Sequence, residues 1–219
     1  MRRIRKTGEV TGLNDSYRTV ESEAQAEICE KRSRFIAAVR PVQTEEEAIE
    51  FLEKIKKEHW GARHNVYAYV ISENNLQRYS DDGEPAGTAG LPVLDCIRKE
   101  GLCNIAVVVT RYFGGILLGT GGLVRAYSAA AKAGIETACP VNMVLCRSIS
   151  ISCGYSLLGK VKSEIYRLGA SEENISYAEQ ITITAAVPVR EAEDFAAAII
   201  DKTNGSAEIE FLGISYQKK

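Results

Sequence analysis

Two stretches of the chain hold residue types that can do chemistry. One is Ser80-Asp81-Asp82-Gly83-Glu84-Pro85-Ala86-Gly87-Thr88-Ala89-Gly90; the other runs from Thr110-Arg111-Tyr112-Phe113-Gly114-Gly115 through Gly119, Gly121 and Gly122 to Arg125. Asp81, Asp82 and Glu84 are close enough in sequence to hold Mg²⁺ or to serve as general acid and base. The same carboxylates equally serve a turn whose oxygens cap a helix. The spacing is not that of an EF-hand, because the distal glutamate is misplaced. A core does not ask for so many glycines; they occur where backbone must approach something closely or present N–H groups to an anion. The run Gly119-Thr120-Gly121-Gly122 is neither a P-loop, since no lysine follows, nor a complete dinucleotide fingerprint, since its third glycine is missing. A tight turn with close helix packing explains it as well as anion binding does.

Arg111 and Tyr112 close an apolar segment beside the glycine turn. An arginine there can contact a ligand, or can pair with Asp81, Asp82 or Glu84 and pin the two loops together. Arg125, one turn into the next helix, carries the same alternatives. Histidine chemistry is restricted to His59 and His64, the two histidines of the chain. His59 falls on an apolar helical stripe and is expected to be packed. His64, within Arg63-His64-Asn65, is a candidate proton donor or polar contact. No serine or cysteine stands in a nucleophile motif beside either. The six cysteines form no C-x-x-C pair, which fits reduced thiols in a cytoplasmic protein. No cofactor and no metal site is expected.

Several elements must position these residues. Tyr17 to about Pro41 alternates and reads as two or three strands, ending in Arg34-Phe35-Ile36-Ala37-Ala38-Val39. Thr44-x-x-Glu47 is a capping box before a helix with Ala48, Phe51, Leu52 and Ile55 on one face. Val66–Ile71 is a strand, and Leu91-Pro92 opens a helix that stops at Gly101. Ile105–Val109 is continuously apolar, so this strand should be covered on both faces. A helix from about Gly121 to Ala138 should pack with Leu123, Val124, Tyr127, Ala130 and Ala131. Beyond Pro140 the pattern reads β-α-β-β-α-β, beginning with a strand at Arg147–Cys153; this is the ferredoxin-like split βαβ order.

Of 27 basic and 29 acidic residues, 19 of each precede Met143, so neither half is a basic module. Nucleic-acid binding would need a local patch. No apolar run approaches the ~18 residues of a membrane span. The basic start, Met1-Arg-Arg-Ile-Arg-Lys6, is not followed by the apolar region of a secretory signal.

Ser33-Arg34-Phe35-Ile36, Ala62-Arg63-His64-Asn65-Val66-Tyr67-Ala68-Tyr69, the Ser80–Gly90 loop and Val107 to Tyr127 together resemble the IMPACT family, in its bacterial YigZ/YvyE form. The run Arg111-Tyr112-Phe113-Gly114-Gly115-Ile116-Leu117-Leu118-Gly119 is similar to the family signature. The resemblance spans about residues 15–138. Arg63 departs from the threonine that members often carry.

The resemblance implies an α+β chain of two domains. Residues 15–139 would form a domain similar to domain 2 of ribosomal protein S5, with helices on one side of a sheet and a left-handed βαβ crossover. Residues 144–219 would form the ferredoxin-like domain, and residues 1–14 a loose segment. Eukaryotic relatives regulate translation initiation by binding the activator of a nutrient-sensing kinase, through an additional N-terminal RWD domain that is not seen here. For bacterial members the resemblance implies RNA or ribosome-linked binding and no established reaction.

The expected function is therefore a cytoplasmic binding protein linked to translation or RNA metabolism. Its candidate surface comprises Arg34, Arg63, His64, Asn65, Tyr67, Arg111, Tyr112, Gly114, Gly115, Gly119, Gly121, Gly122 and Arg125, with Asp81, Asp82 and Glu84 orienting the arginines. The alternatives are a nucleotide- or phosphate-dependent enzyme that uses those carboxylates, and a protein-interaction module.

Overall fold

The computed structural model describes residues 14–219. The loose N-terminal segment expected over residues 1–14 lies, apart from Asn14, outside the described residues. The elements follow in the order β1 (Ser16–Val20), β2 (Ala24–Glu30), β3 (Ser33–Pro41), α1 (Glu45–Glu58), β4 (His64–Ile71), β5 (Leu76–Ser80), α2 (Gly90–Lys99), β6 (Ile105–Tyr112) and α3 (Gly119–Thr137). The second half continues with β7 (Pro140–Cys153), α4 (Leu158–Arg167), β8 (Ser171–Tyr177), β9 (Ile181–Pro188), α5 (Ala192–Lys202) and β10 (Glu208–Lys218). Tyr17–Asn142 make one compact unit; Met143–Lys219, with residues 14–16, make another.

In the first unit, five strands lie in the order β2-β3-β6-β4-β5 and every neighbouring pair is antiparallel. β6 lacks polar residues from Ile105 to Val109 because it is central and covered on both faces. Phe35, Ala37, Val39, Val66, Ala68, Val107 and Val109 pack with α2 and α3. Ala38, Tyr69, Ile71, Ala106 and Val108 pack with Phe51, Leu52 and Ile55 of α1. Helices therefore cover both faces, which corrects the one-sided arrangement implied by the resemblance. The physical reason is the strand composition: both alternating sets of β3 and β6 are apolar, and each needs a cover.

Local signals explain where the elements begin and end. Thr44 Oγ1 accepts from Glu47 N at 3.3 Å, and the Glu47 carboxylate accepts from Gln43 N at 2.7 Å. This is a capping box whose return bond lands one residue early. Gly101 follows α2 with φ +64°, where an L side chain would be strained. Two expectations fail on α1 and α3. His59 is not part of the core; it caps α1 and bonds Tyr112, because the stripe ends at Ile55. Val124 is exposed, since α3 turns Leu123 and Tyr127 inward and leaves position 124 outside.

In the second unit the strand order is β10-β7-β9-β8, antiparallel throughout. Counted within this unit the order is 4-1-3-2, with α4 and α5 supplying Val161, Ile165, Phe195 and Ile199 to a core on one face. That is the ferredoxin-like arrangement read from the alternation. β7 is longer than expected and starts at Pro140, a position that proline tolerates at a strand's first residue. The opposite sheet face carries Ser148, Ser150, Ser152, Thr182 and Thr184, which alternate with the core residues.

Candidate functional site at one end of the first sheet

Antiparallel register brings the start of β3, the end of β6 and the start of β4 to one edge. Arg34 faces Tyr112, Phe35 faces Arg111, and His64 faces Arg111 from the other side. Because strand side chains alternate, the candidates divide between two faces. Arg111 and His64 share the face of Phe35 and Val66, towards α3. Arg34, Asn65, Tyr67 and Tyr112 lie on the face of α1.

On the α3 side, Arg111 Nη1 donates to Glu84 Oε1 at 2.6 Å, and Tyr127 Oη donates to the same oxygen at 2.8 Å. The Arg111 and Glu84 side chains are only 8% and 4% exposed. The guanidinium also lies 5.5 Å from the Phe35 ring and 5.6 Å from the Phe113 ring, within cation–π range. Burial, reinforced by Glu84, pushes the Tyr127 hydroxyl far above its ordinary range, so it serves only as a neutral donor. Glu84 is thus the carboxylate that ties Arg111 to α3.

Its two neighbours do other work. Asp81 accepts from the backbone N–H groups of Gly87, Ala89 and Gly90 at 2.8, 3.0 and 2.8 Å. A carboxylate there meets the positive end of α2, which has no side-chain cap of its own. Asp82, at φ +43°, accepts from Asn65 N at 2.6 Å, and its carbonyl oxygen lies 2.8 Å from His64 Nδ1. Asn65 in turn accepts from Thr110 Oγ1 at 2.7 Å in a buried contact. Among the described residues, no cluster of three or more His, Cys, Asp or Glu could hold a metal ion.

The glycines divide by role. A Cβ on Gly114 would lie 2.0 Å from the Arg32 carbonyl carbon, so the β6 exit can cross the β2–β3 turn only as glycine. Gly115 and Gly119 have φ of +83° and +69°. Gly122 lies against Leu118, whereas a Cβ on Gly121 would meet only Arg125 Nη1, at 3.6 Å. Phe113 before them and Ile116 and Leu117 between them are exposed, while Leu118 enters the core.

On the α1 side, Arg34 grips Glu27 through Nε and Nη2 at 2.8 and 2.9 Å and lies over Tyr112. Tyr112 Oη and His59 Nδ1 are 3.0 Å apart. Tyr67 stacks on Tyr69 and is half-buried. Arg63 and Arg125 are exposed and have no carboxylate partner among the described residues.

Sequence reasoning missed several participants. Tyr127 reads as a core residue of α3, yet its hydroxyl completes the Glu84 bond. Lys31 and Arg32 form the β2–β3 turn with φ of +45° and +69°, and both are exposed. Trp60, next to His59, is 88% exposed. The signal for the turn was there: two charged residues between two alternating runs.

Comparison with known proteins gives this arrangement a family. Residues 31–135 match the Impact N-terminal domain, and residues 151–206 match a domain of unknown function, DUF1949. The IMPACT family member YvyE of Bacillus subtilis is 42% identical over 205 residues, which cover 93% of this chain and 94% of that protein. The chain belongs to the IMPACT family. Protein IMPACT of Mus musculus is 41% identical over 98 residues, covering 42% of this chain and 30% of the mouse protein. A solved structure titled as that of a hypothetical protein aligns with TM-score 0.59 and 30% identity over 92% of this chain and 99% of that one. The residues matched to the Impact N-terminal domain include the loops tied together by Asp81, Asp82 and Glu84.

Proposed function

We propose that this IMPACT family member binds single-stranded RNA in a translation-linked role, at the sheet end where β3 begins, β6 ends and β4 begins. One observation carries the reading: Lys31, Arg32 and Arg63 are exposed there without a carboxylate partner among the described residues, on segments that also present the exposed rings of Trp60 and Phe113. Gly114 places Phe113 beside Arg32, and the Tyr112–His59 bond brings the Trp60 segment to the same end. Cations beside exposed rings suit phosphates and splayed bases. The net charge of −2 makes such binding local. The link to translation rests on family membership and on the mouse relative's likeness to the first unit.

The division of labour differs from a uniform arginine surface. Arg111 is buried on Glu84 and Arg34 is committed to Glu27, so these two shape the end while Lys31, Arg32 and Arg63 meet the ligand. The enzyme reading loses support because backbone, arginine and tyrosine donors already engage Asp81, Asp82 and Glu84.

Titration of the protein into a fluorescently labelled decaribonucleotide, followed by anisotropy, tests the proposal. Arg32→Ala and Arg63→Ala should each lower the slope of log K against log salt by about 0.7, the single-strand value per lost phosphate contact. Trp60→Ala should weaken binding by about 1–3 kcal/mol. Absence of binding at low salt, or slopes unmoved by both arginine changes, would sink the reading.

A further inference from the structure

Apolar exposure is concentrated where β6 hands over to α3. Phe113, Ile116, Leu117 and Val124 are all exposed, and Leu117, at 82%, is the most exposed large aliphatic residue among the described residues. A single exposed leucine is ordinary, but several on one loop mark a surface that something covers. The loop is fixed at both ends. Gly114 lies against the Arg32 backbone and its N–H donates to Ser33 Oγ at 3.2 Å, while Leu118 enters the core beside Gly122. Gly115 and Gly119, at φ +83° and +69°, make the two bends between which Ile116 and Leu117 stand exposed. A tip held in this way has little freedom left to lose on binding.

The charge around the tip indicates what covers it. From Gly101 to Ile135 the chain has no carboxylate, while Arg111, Arg125 and Lys132 fall in that span. Across the Gly114 contact lies the β2–β3 turn, a two-residue loop between the paired Glu30 and Ser33. Both of its members, Lys31 and Arg32, have positive φ, where Asn-Gly is the unstrained choice. Glu30 precedes them, so the turn itself keeps a net positive charge. Two long cations held there against backbone preference suit a polyanion. Three residues span at most about 11 Å, so Leu117 stays within that reach of Gly114, which touches the turn.

This end of the sheet also offers two chemically different apolar surfaces. Trp60 and Phe113 present rings, which stack on unpaired bases. Ile116 and Leu117 have no π face; aliphatic side chains act on nucleic acids as wedges that enter a stack and part it. A wedge has work only where bases are still stacked and paired. We infer that Leu117, backed by Ile116, is a wedge set against the last base pair of an RNA stem, so that the ligand of this end is a junction where a single strand leaves a duplex. The inference rests on the RNA-binding reading: the single strand lies on the rings and cations described above, and Leu117 parts the final pair where the strand departs.

The test uses the full chain and four fluorescently labelled RNAs read by anisotropy: a hairpin with a single-stranded tail at its 5′ end, one with the tail at its 3′ end, the tail alone, and the blunt hairpin. A tailed hairpin of one polarity should bind about tenfold tighter than the tail alone, the order expected when one leucine side chain is covered. The blunt hairpin should bind more weakly than the tailed one, having no strand for the rings. Leu117→Ser, at a side chain already in solvent, should remove the preference for the tailed hairpin and leave the affinity for the tail unchanged. A 2-aminopurine in the last pair should brighten on binding the unaltered protein and stay dim with Leu117→Ser. Equal affinity for tail and tailed hairpins, or a preference and a brightening that survive Leu117→Ser, would overturn the wedge and leave the single-strand reading standing. A blunt hairpin that binds as well as the tailed one would overturn the junction. Binding of none of the four would remove the RNA reading and the wedge together and leave the tip to a protein partner.

Discussion

Asp81, Asp82 and Glu84 neighbour one another in sequence, yet each meets a different partner: the start of α2, the start of β4, and Arg111 with Tyr127. The residue types were legible as important, but their assignments were not, because they depend on which backbone groups the turn brings near. The choice between a free Arg111 and one paired to a loop carboxylate was likewise visible as a choice only. Removing Glu84 leaves Arg111 buried without its anion, so Glu84→Ala should cost about 3–5 kcal/mol in urea unfolding. Combining Glu84→Gln with Arg111→Met should recover most of that, since a neutral pair needs no counter-charge. A double variant as unstable as Glu84→Ala would mean that the pair acts through more than charge balance. In the second unit, the hydrogen bond from Arg167, with a further contribution from its charge, holds the Glu164 carboxyl below the ordinary carboxylate range. A depressed carboxylate stabilises the fold above its unfolded pKa, about 4.5, and that contribution is lost as pH falls through the folded value. The melting-temperature gap between the protein and Arg167→Met should therefore be full near neutrality and shrink below about pH 4.5; a constant gap would contradict the linkage.

At the scale of elements, close approaches decide which glycines matter. Gly134 of α3 faces β3, where a Cβ would sit 2.9 Å from both Ala37 Cβ and Val39 Cγ2. Gly134→Ala should destabilise by about 1–3 kcal/mol through overpacking, despite alanine's better helix propensity. Gly114→Ala should be worse, because its contact is rigid backbone at 2.0 Å. Gly121→Ala in the same helix should be neutral or slightly stabilising, having only the tip of Arg125 nearby. Thermal unfolding of the three variants checks the ranking, and a Gly121 variant as damaged as Gly134 would refute it. Elements themselves were readable where a local rule applied: the Thr44 cap, the Gly101 stop and the all-apolar β6 each announced their place. The division of Arg34 and Arg111 between opposite faces follows from period two once the register is known. Register, however, is set by pairing of strands some seventy residues apart, such as Phe35 with Arg111, which no local window contains.

For the whole molecule, the hydrophobic clusters of the first unit share no residue with the cluster of the second. Phe195, 2% exposed between α5 and its sheet, belongs to the second. Phe195→Ala should cost about 3–5 kcal/mol and raise amide exchange across residues 143–219 while β3 and β6 keep their protection. Exchange that rises equally in β6 would show one cooperative unit instead. The two-domain order was legible because alternation, amphipathic helices and a proline punctuate the second half. The cover on both faces of the first sheet was written in Ile105–Val109 itself, whereas family likeness alone implied a one-sided sheet.

The central position of β6 bears on how the chain is made. β3 and β4 do not pair with each other; both wait for β6 to lie between them. A ribosome releases the chain from its N-terminus, so β2–β3 and β4–β5 emerge as separate ladders with open inner edges and apolar faces such as Phe35, Ala37 and Val39 uncovered. Those edges stay adhesive until residues 105–112 appear, and the face towards α3 stays bare until residue 137 is out. Nascent chains halted before Ile105 should be held by chaperones or aggregate, and chains extended past Thr137 should be released from both fates.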